Sequence, residues 1–138
     1  MPLDIGESGG YSSADPMTKI LIVEDAEPVG ALIEDLLKQR GYQIMTAADG
    51  KKGLEAARKE LPDLVICDVM VPELDGIELC RKLKSDPAAS RVKVIMLSSL
   101  DRRKNIEAAF AAGAAEYVVK PFDNGKFVRL VEEVLKGK

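Results

Sequence analysis

Short apolar segments alternate with longer amphipathic segments along most of the chain. The apolar segments cover residues 20–23, 42–46, 64–67, 92–97 and 116–119, and most are rich in Val, Ile or Leu. Runs of this kind are typical of parallel strands that are covered by helices on both faces. We therefore predict five strands at these positions.

The segments between the strands predict five helices. The first has Pro28 near its start and Gly41 at its end, and the next three cover about 51–61, 76–85 and 102–112. The expected inward residues are Val29, Leu32, Ile33, Leu36 and Leu37, then Leu54, Ala57 and Leu61, then Ile77, Cys80 and Leu83, then Ile106, Ala109 and Phe110, and finally Phe127, Leu130, Val131, Val134 and Leu135. Strict alternation predicts an α/β fold, a doubly wound (βα)5 sandwich with helices on both faces of a five-stranded parallel sheet.

Residues 1–16 differ in composition from the rest of the chain. They are rich in Gly, Ser, Asp and Pro and lack periodicity, so we predict a flexible N-terminal tail, either a tag or a linker. Residues 17–138 are then one domain, a length sufficient for a sizeable core.

Overall composition excludes several classes of protein. Hydrophobic residues make up 46%, charged residues 31%, and the net charge is -3, which predicts a soluble domain without direct nucleic-acid binding. No apolar run reaches the roughly 20 residues of a membrane helix, and no secretory signal is visible, so we expect a cytoplasmic protein without membrane association. Cys67 and Cys80 lack metal-ligand spacing and are expected to be reduced core thiols.

The chain contains no histidine. This excludes a Ser-His-Asp triad, a Cys-His dyad, a histidine-ligated zinc and a phosphohistidine on this chain. The remaining chemistry must use carboxylates, hydroxyls, lysine and a hard metal ion.

Polar side chains follow four of the five predicted strands. They are Glu24 and Asp25 after the first strand, Asp68 after the third, Ser98 after the fourth and Lys120 after the fifth. In an open α/β sheet, function gathers at this carboxyl edge. Three carboxylates in one pocket repel each other, and both a lysine and a divalent cation would relieve that repulsion. An all-oxygen site with open water positions suits Mg²⁺.

Magnesium, lysine and a hydroxyl are the usual equipment of phosphoryl transfer, and a carboxylate can be its nucleophile. We therefore expect Asp68 to form an aspartyl phosphate. Each residue alone has a simpler explanation: the acidic pair as a solvated loop, Asp68 as a helix cap, Ser98 as a turn hydroxyl, Lys120 as a surface charge. Their occurrence together at the strand ends favours a functional site.

The residues now resemble a known family, the receiver domain of two-component response regulators, close to the single-domain chemotaxis type. The resemblance covers about residues 18–135 and rests on four segments: ILIVED (20–25), PDLVICDVMVPELDG (62–76), VIMLSS (94–99) and GAAEYVVKPF (113–122). It implies a flavodoxin-like fold with strand order 2-1-3-4-5.

The resemblance also implies residue roles. Asp68 would be the phosphoacceptor, Lys120 and Ser98 its catalytic partners, and Ser98 with Tyr117 the switch. The implied cofactor is Mg²⁺, with Mn²⁺ as a substitute. Its implied ligands are Glu24, largely through water, together with Asp25, Asp68 and the backbone carbonyl of Met70.

Three further features follow from the resemblance. It implies a cis Lys120–Pro121 bond. Glu24 stands where the family more often has Asp, a change that should keep the metal but alter water placement. Ser98 stands where Thr is common, and it keeps the hydroxyl but loses the methyl group.

The implied function is that of a signalling phosphoacceptor. A sensor histidine kinase or phosphotransfer protein would supply the phosphoryl group, and the face formed by the fourth helix, fifth strand and fifth helix would switch a downstream partner or fused output domain. Slow autodephosphorylation would reset the domain. The domain would catalyse only its own phosphorylation and dephosphorylation and would not be an enzyme in any other sense. It would be a monomer or a weak dimer through the same face.

Three other classes of function use similar residues. An aspartyl-nucleophile phosphatase needs a second acid two positions after the nucleophile, where this chain has Met70. A flavodoxin-like cofactor binder needs a phosphate-cradling loop after the first strand, but residues 24–30 are acidic. A receiver-like module that only binds partners would lack Mg²⁺-dependent chemistry.

Overall fold

The computed structural model describes residues 18–137, in which five strands alternate with five helices. The strands are β1 (Lys19–Val23), β2 (Gln43–Ala47), β3 (Leu64–Asp68), β4 (Lys93–Ser98) and β5 (Glu116–Val119). The helices are α1 (Glu27–Lys38), α2 (Gly50–Glu60), α3 (Gly76–Lys84), α4 (Arg103–Ala111) and α5 (Asn124–Leu135). The predicted alternation is confirmed. The predicted tail, residues 1–16, lies outside the described residues.

The strands form one parallel sheet in the order β2-β1-β3-β4-β5, as the resemblance implied. Val23 at the end of β1 lies opposite both Ala47 and Cys67, and Asp68 lies opposite Leu97. Because the strand ends are in register, the side chains that follow them meet at one edge. The sheet therefore defines where a site can form.

Two apolar clusters, one on each face of the sheet, make up the core. Alternate residues of β1 face opposite ways: Leu21 and Val23 pack towards α2, α3 and α4, whereas Ile20 and Ile22 pack towards α1 and α5. The third strand is buried along its whole length, as expected for a central parallel strand.

Both cysteines are buried free thiols, as predicted. Burial raises the pKa of Cys80 to about 11 and raises that of Cys67 well above its ordinary value. Neither side chain is therefore a ready thiolate nucleophile.

Three residues predicted to face inward are exposed instead. Leu61 is 49% exposed because it lies beyond the end of α2, in a left-handed conformation with φ 48°. Leu32 is 41% and Phe110 45% exposed. In α1, Ile33 and Leu37 supply the fully buried residues and leave Leu32 at the edge of the apolar stripe. Phe110 follows Ala109, the single residue of α4 that is buried.

Three strands, β2, β3 and β4, end one residue later than predicted, and in two of them the last residue is a predicted site residue. Asp68 and Ser98 are the last residues of their strands and not the first residues of loops. Both therefore have a backbone fixed by the sheet. Among residues 18–137, no helix combines the length and apolarity that crossing a membrane requires.

Candidate functional site

Asp68 is a buried carboxylate at the end of the central strand β3, with 6% of its surface exposed. Its Oδ1 accepts a hydrogen bond from the Met70 backbone N–H at 2.8 Å. Its Oδ2 lies 2.5 Å from the ammonium nitrogen of Lys120. Both oxygens are thus held, one by the backbone and one by a cation, and the carboxylate has a fixed orientation.

Glu24 follows β1 and is the second buried carboxylate of the site, with 8% exposure. Its Oε1 lies 3.2 Å from Lys120 Nζ, and its Oε2 accepts the Ala26 N–H at 3.1 Å. Lys120 therefore bridges two carboxylates, and one cation faces two anions.

Two groups of this bridge have raised pKa values, Glu24 chiefly through burial and Lys120 through its carboxylate partners. Burial raises the pKa of Glu24 and the Asp68 carboxylate adds to the increase, although the Ala26 N–H and Lys120 oppose it. Burial alone would lower the pKa of Lys120, but the pairs with Asp68 and Glu24 outweigh it and raise that pKa. Lys120 is therefore firmly charged, and the site keeps a net negative charge that favours a further cation.

Asp25 is placed differently from the other two acids. It is exposed, and its side chain has no hydrogen bond or ion pair with any residue from 18 to 137. It lines an open cleft that also contains Met70 and Leu100. The expected crowding of three carboxylates therefore holds for Glu24 and Asp68, while Asp25 stands at the rim.

The donor set fits a hard divalent cation. Within the described part of the chain, no three His, Cys, Asp or Glu side chains converge on one point. Mg²⁺ does not require such a cluster, since it usually binds one or two carboxylates and retains waters. The buried acids, Asp25 and the carbonyl of Met70 supply only oxygen donors, which suits this ion.

Ser98 and Tyr117 are joined through the backbone of Leu100. The Ser98 hydroxyl, fully buried, accepts the Leu100 N–H at 2.9 Å. The Tyr117 hydroxyl, on a half-buried ring, donates to the Leu100 carbonyl at 2.6 Å. Leu100 was not singled out from the sequence because it acts through backbone groups, which have no residue-type signature.

Lys120 is positioned by the end of β5 and the turn after it. Its N–H donates to the Ser98 carbonyl at 2.8 Å, and the Lys120–Pro121 peptide bond is cis, as the resemblance implied. The side chain therefore leaves the sheet edge beside Ser98 and points towards Asp68.

An apolar groove of about 390 Å³ borders the site on its α1 side. It is lined by Val29, Leu32, Pro121 and Phe122, with Lys120 and Ser99 at one side. The exposed Leu32 thus belongs to an apolar surface that adjoins Lys120.

Comparison with known proteins identifies the family. Residues 20–132 match the response regulator receiver domain. The chain is 38% identical over 120 residues to the response regulator PleD of Caulobacter vibrioides. The matched region covers 87% of this chain and 26% of PleD. The chain spans half or less of the length of the curated relatives it matches.

Solved structures give the same result. The receiver domain of the sensor histidine kinase PA1611 from Pseudomonas aeruginosa PAO1, crystallised with a magnesium ion in its active-site cleft, superposes with a TM-score of 0.80 and 28% identity, covering 87% of this chain and 98% of that one. A CheY-like receiver domain protein from Methanospirillum hungatei JF-1 gives 0.82 and 26%, covering 88% and 95%. The chain belongs to the response regulator receiver domain family of two-component signalling.

Proposed function

We propose that this domain accepts a phosphoryl group on Asp68 from the phosphohistidine of a sensor histidine kinase or phosphotransfer protein. The observation that carries the proposal is the Asp68 carboxylate itself, buried at a strand end and held between the Met70 N–H and the Lys120 ammonium. A carboxylate fixed in this way has little conformational freedom left to lose on reaching the transition state.

The transfer needs no group beyond those of the two proteins and the metal. A carboxylate oxygen of Asp68 attacks phosphorus, the P–O bond forms, and the P–N bond to the donor imidazole breaks with its electron pair on nitrogen. Lys120 moves from the carboxylate oxygen towards a phosphoryl oxygen, and the Ser98 hydroxyl donates to another. The domain promotes its own phosphorylation and the hydrolysis of the resulting aspartyl phosphate, and it is not an enzyme for other substrates.

Mg²⁺, or Mn²⁺ in its place, would be held by Asp25, Asp68, the Met70 carbonyl and, through water, Glu24. When bound, it supplies positive charge that the developing phosphoryl oxygens require. The net negative charge of the Glu24–Lys120–Asp68 bridge supports this assignment.

The output would be carried by the α4–β5–α5 face. A phosphoryl group that recruits the Ser98 hydroxyl acts on the Leu100 backbone, and Leu100 in turn holds the Tyr117 hydroxyl. The phosphorylated state therefore favours a different arrangement of the segment that leads into α4. A partner protein, a fused output domain or a weak dimer through this face would read the change, and slow hydrolysis would end it.

The phosphodonor must approach Asp68 across the rim of the site. The apolar groove of Val29, Leu32, Pro121 and Phe122 adjoins Lys120 and gives such a partner an apolar surface to cover beside the site. This role predicts a cytoplasmic protein, because the donor and its ATP-dependent kinase would be found there.

Intact mass measured after incubation with Mg²⁺ and acetyl phosphate tests the acceptor. We expect one phosphoryl adduct on the wild type and on Asp35→Asn, an exposed acid on α1. We expect none on Asp68→Asn and none without a divalent cation. An equal adduct on Asp68→Asn would overturn the assignment, and a folded wild type without any adduct would favour a module that only binds partners.

A further inference from the structure

The loop between β3 and α3 rests directly on the first turn of α2. Gly50, the first residue of α2, donates its N–H to the Pro72 carbonyl at 2.9 Å. A Cβ at position 50 would lie 1.6 Å from the carbonyl oxygen of Leu74 and 3.0 Å from its Cβ. The carbonyl oxygen and its carbon, which would lie 2.6 Å away, are backbone atoms, so no side-chain rotation relieves the overlap.

The loop is short and restrained at both ends, so a displacement in its middle reaches Asp68. The Val69 N–H donates to the Leu97 carbonyl at 2.9 Å, and the Gly76 N–H donates to the Val69 carbonyl at 2.8 Å. Between these points lies Met70, whose N–H orients Asp68 Oδ1 at 2.8 Å.

A second observation shows that the loop is held in a demanding conformation. Glu73 has φ 73°, in the left-handed region that residues other than glycine rarely adopt. Such a residue persists when its surroundings fix it, and these residues cluster at functional sites. Two restraints act on Glu73: the Leu74 N–H donates to the Pro72 carbonyl across it at 2.8 Å, and Gly50 lies against Pro72 and Leu74.

We propose that Gly50 is a positioning residue for phosphoryl acceptance, because the absence of its side chain seats the β3–α3 loop and thereby fixes the Met70 amide on Asp68. The inference rests on the proposed function of Asp68 as acceptor. It assigns to α2 a part in the chemistry, although none of its side chains reaches the site described above.

The rival explanation is that Gly50 matters only for the stability of α2, and the chain offers two controls for it. Gly53, the next glycine of the same helix, faces the side chain of Val23, 2.8 Å from its Cβ position, and not the loop. Asp49 caps α2 by accepting the Lys52 N–H at 2.7 Å, so Asp49→Ala weakens the start of the helix without pushing on the loop.

The experiment compares the wild type with Gly50→Ala, Gly53→Ala and Asp49→Ala. It measures Tm, the Met70 amide resonance by NMR without metal or phosphodonor, and initial phosphorylation rates over a range of acetyl phosphate concentrations. For Gly50→Ala we expect a shifted Met70 resonance and a maximal rate lower by about tenfold to a hundredfold, the effect of a misplacement on the order of 1 Å. The two controls should keep the Met70 resonance and a rate within about twofold of wild type, since neither adds an atom against residues 72–74 and the rate depends on the placement of the reacting groups.

Two results would overturn the inference: Gly50→Ala that is unchanged in both rate and Met70 resonance, or controls that slow the reaction as much at equal loss of Tm. If Gly50→Ala does not fold, Leu74→Gly loosens the same seat from the loop side: it removes the Cβ that faces residue 50 and frees the loop backbone, and it should shift the Met70 resonance. If the wild type itself takes no phosphoryl group, the proposed function fails, and the Met70 resonance alone then decides the role of Gly50.

Discussion

Helices α3 and α4 have the same length, nine residues, and lie on the same side of the sheet, yet they are anchored in opposite ways. The side chain of Asp75 caps α3 by accepting the Glu78 N–H at 2.9 Å, and Leu79, Cys80 and Leu83 are buried beneath it. At the start of α4, Arg102 makes no side-chain cap, and Ala109 is the one buried residue of the helix.

Charge increases the contrast. Glu78 in the first turn of α3 and basic residues in its last turn complement the helix dipole. The first turn of α4 instead carries Arg103 and Lys104, which oppose the dipole and have no ion pair among residues 18–137. Helix α3 is therefore a fixed support for the loop that leaves Asp68, whereas α4 is secured weakly enough to respond to the proposed signal.

The largest effect is expected from a methyl group at the start of α3. In Gly76→Ala the new Cβ would lie 2.4 Å from the Asp68 carbonyl oxygen and 3.0 Å from Cys67 Sγ. We expect a loss of about 3 kcal/mol in the free energy of unfolding, the upper range for overpacking, measured by urea denaturation. Arg103→Ala, at the equivalent first position of α4, should change it by less than about 0.5 kcal/mol. Equal losses would contradict the contrast between the two helices.

Loss of the α3 cap should have the next largest effect. Asp75→Ala removes both the acceptor for the Glu78 N–H and a negative charge at the positive end of the helix. We expect a loss of about 1.5 kcal/mol, with the urea midpoint lowered at constant m-value. Asp75→Asn keeps a capping oxygen and should recover most of this loss. An unaffected midpoint in Asp75→Ala would mean that burial alone anchors α3.

The reverse experiment strengthens α4. Arg102→Asp supplies an N-cap acceptor and removes one cation, so we expect a gain of about 0.5 to 1 kcal/mol. Arg102→Ala, which removes the cation without adding an acceptor, should gain less. If weak anchoring lets α4 respond, Arg102→Asp should also reduce the change in α4 hydrogen exchange on phosphorylation, while α3 exchange stays as in the wild type. An undiminished change would separate signalling from the stability of α4.

The sequence was sufficient for features that depend on residue type at local spacing. Apolar runs located all five strands, and polar residues after them located Glu24, Asp68, Ser98 and Lys120 at one edge. Repulsion between carboxylates was expected to be relieved in part by a lysine, and Lys120 does lie between Glu24 and Asp68. The roles of these residues in phosphoryl transfer remain predictions.

Other features could not be predicted, because they depend on backbone groups brought together by the fold. The contact of Gly50 with residues 72–74 requires α2 to lie beside the loop after β3. Leu100 joins Ser98 to Tyr117 through its amide and carbonyl. The exposure of Leu32 and Phe110 could not be read from helical periodicity, which locates an apolar stripe but not its edges.

The smallest effect is expected from the charge of Glu24. It tests whether close contacts or charge fix the loop between β3 and α3, which follows Asp68. Burial raises the folded-state pKa of Glu24 above its ordinary value of 4.5, with Asp68 adding to the increase. Because its pKa is raised on folding, protonated Glu24 contributes to stability. This contribution is complete below the unfolded-state pKa and is lost as pH rises through the folded-state pKa. Lys120, whose pKa is raised from 10.5, stays charged throughout this range.

Without divalent cations, Tm of the wild type should therefore fall relative to Glu24→Gln as pH rises from about 4 to 7, the range above an ordinary glutamate pKa. The change should be a few degrees at most. Glu27→Gln, an exposed acid of α1, should show no such trend. Hydrogen exchange of α3 should be insensitive to Glu24→Gln if the close contacts at Gly76 fix the loop. Protection of α3 amides, taken relative to their intrinsic exchange rate at each pH, that falls at high pH in the wild type but not in Glu24→Gln would instead make charge the dominant restraint.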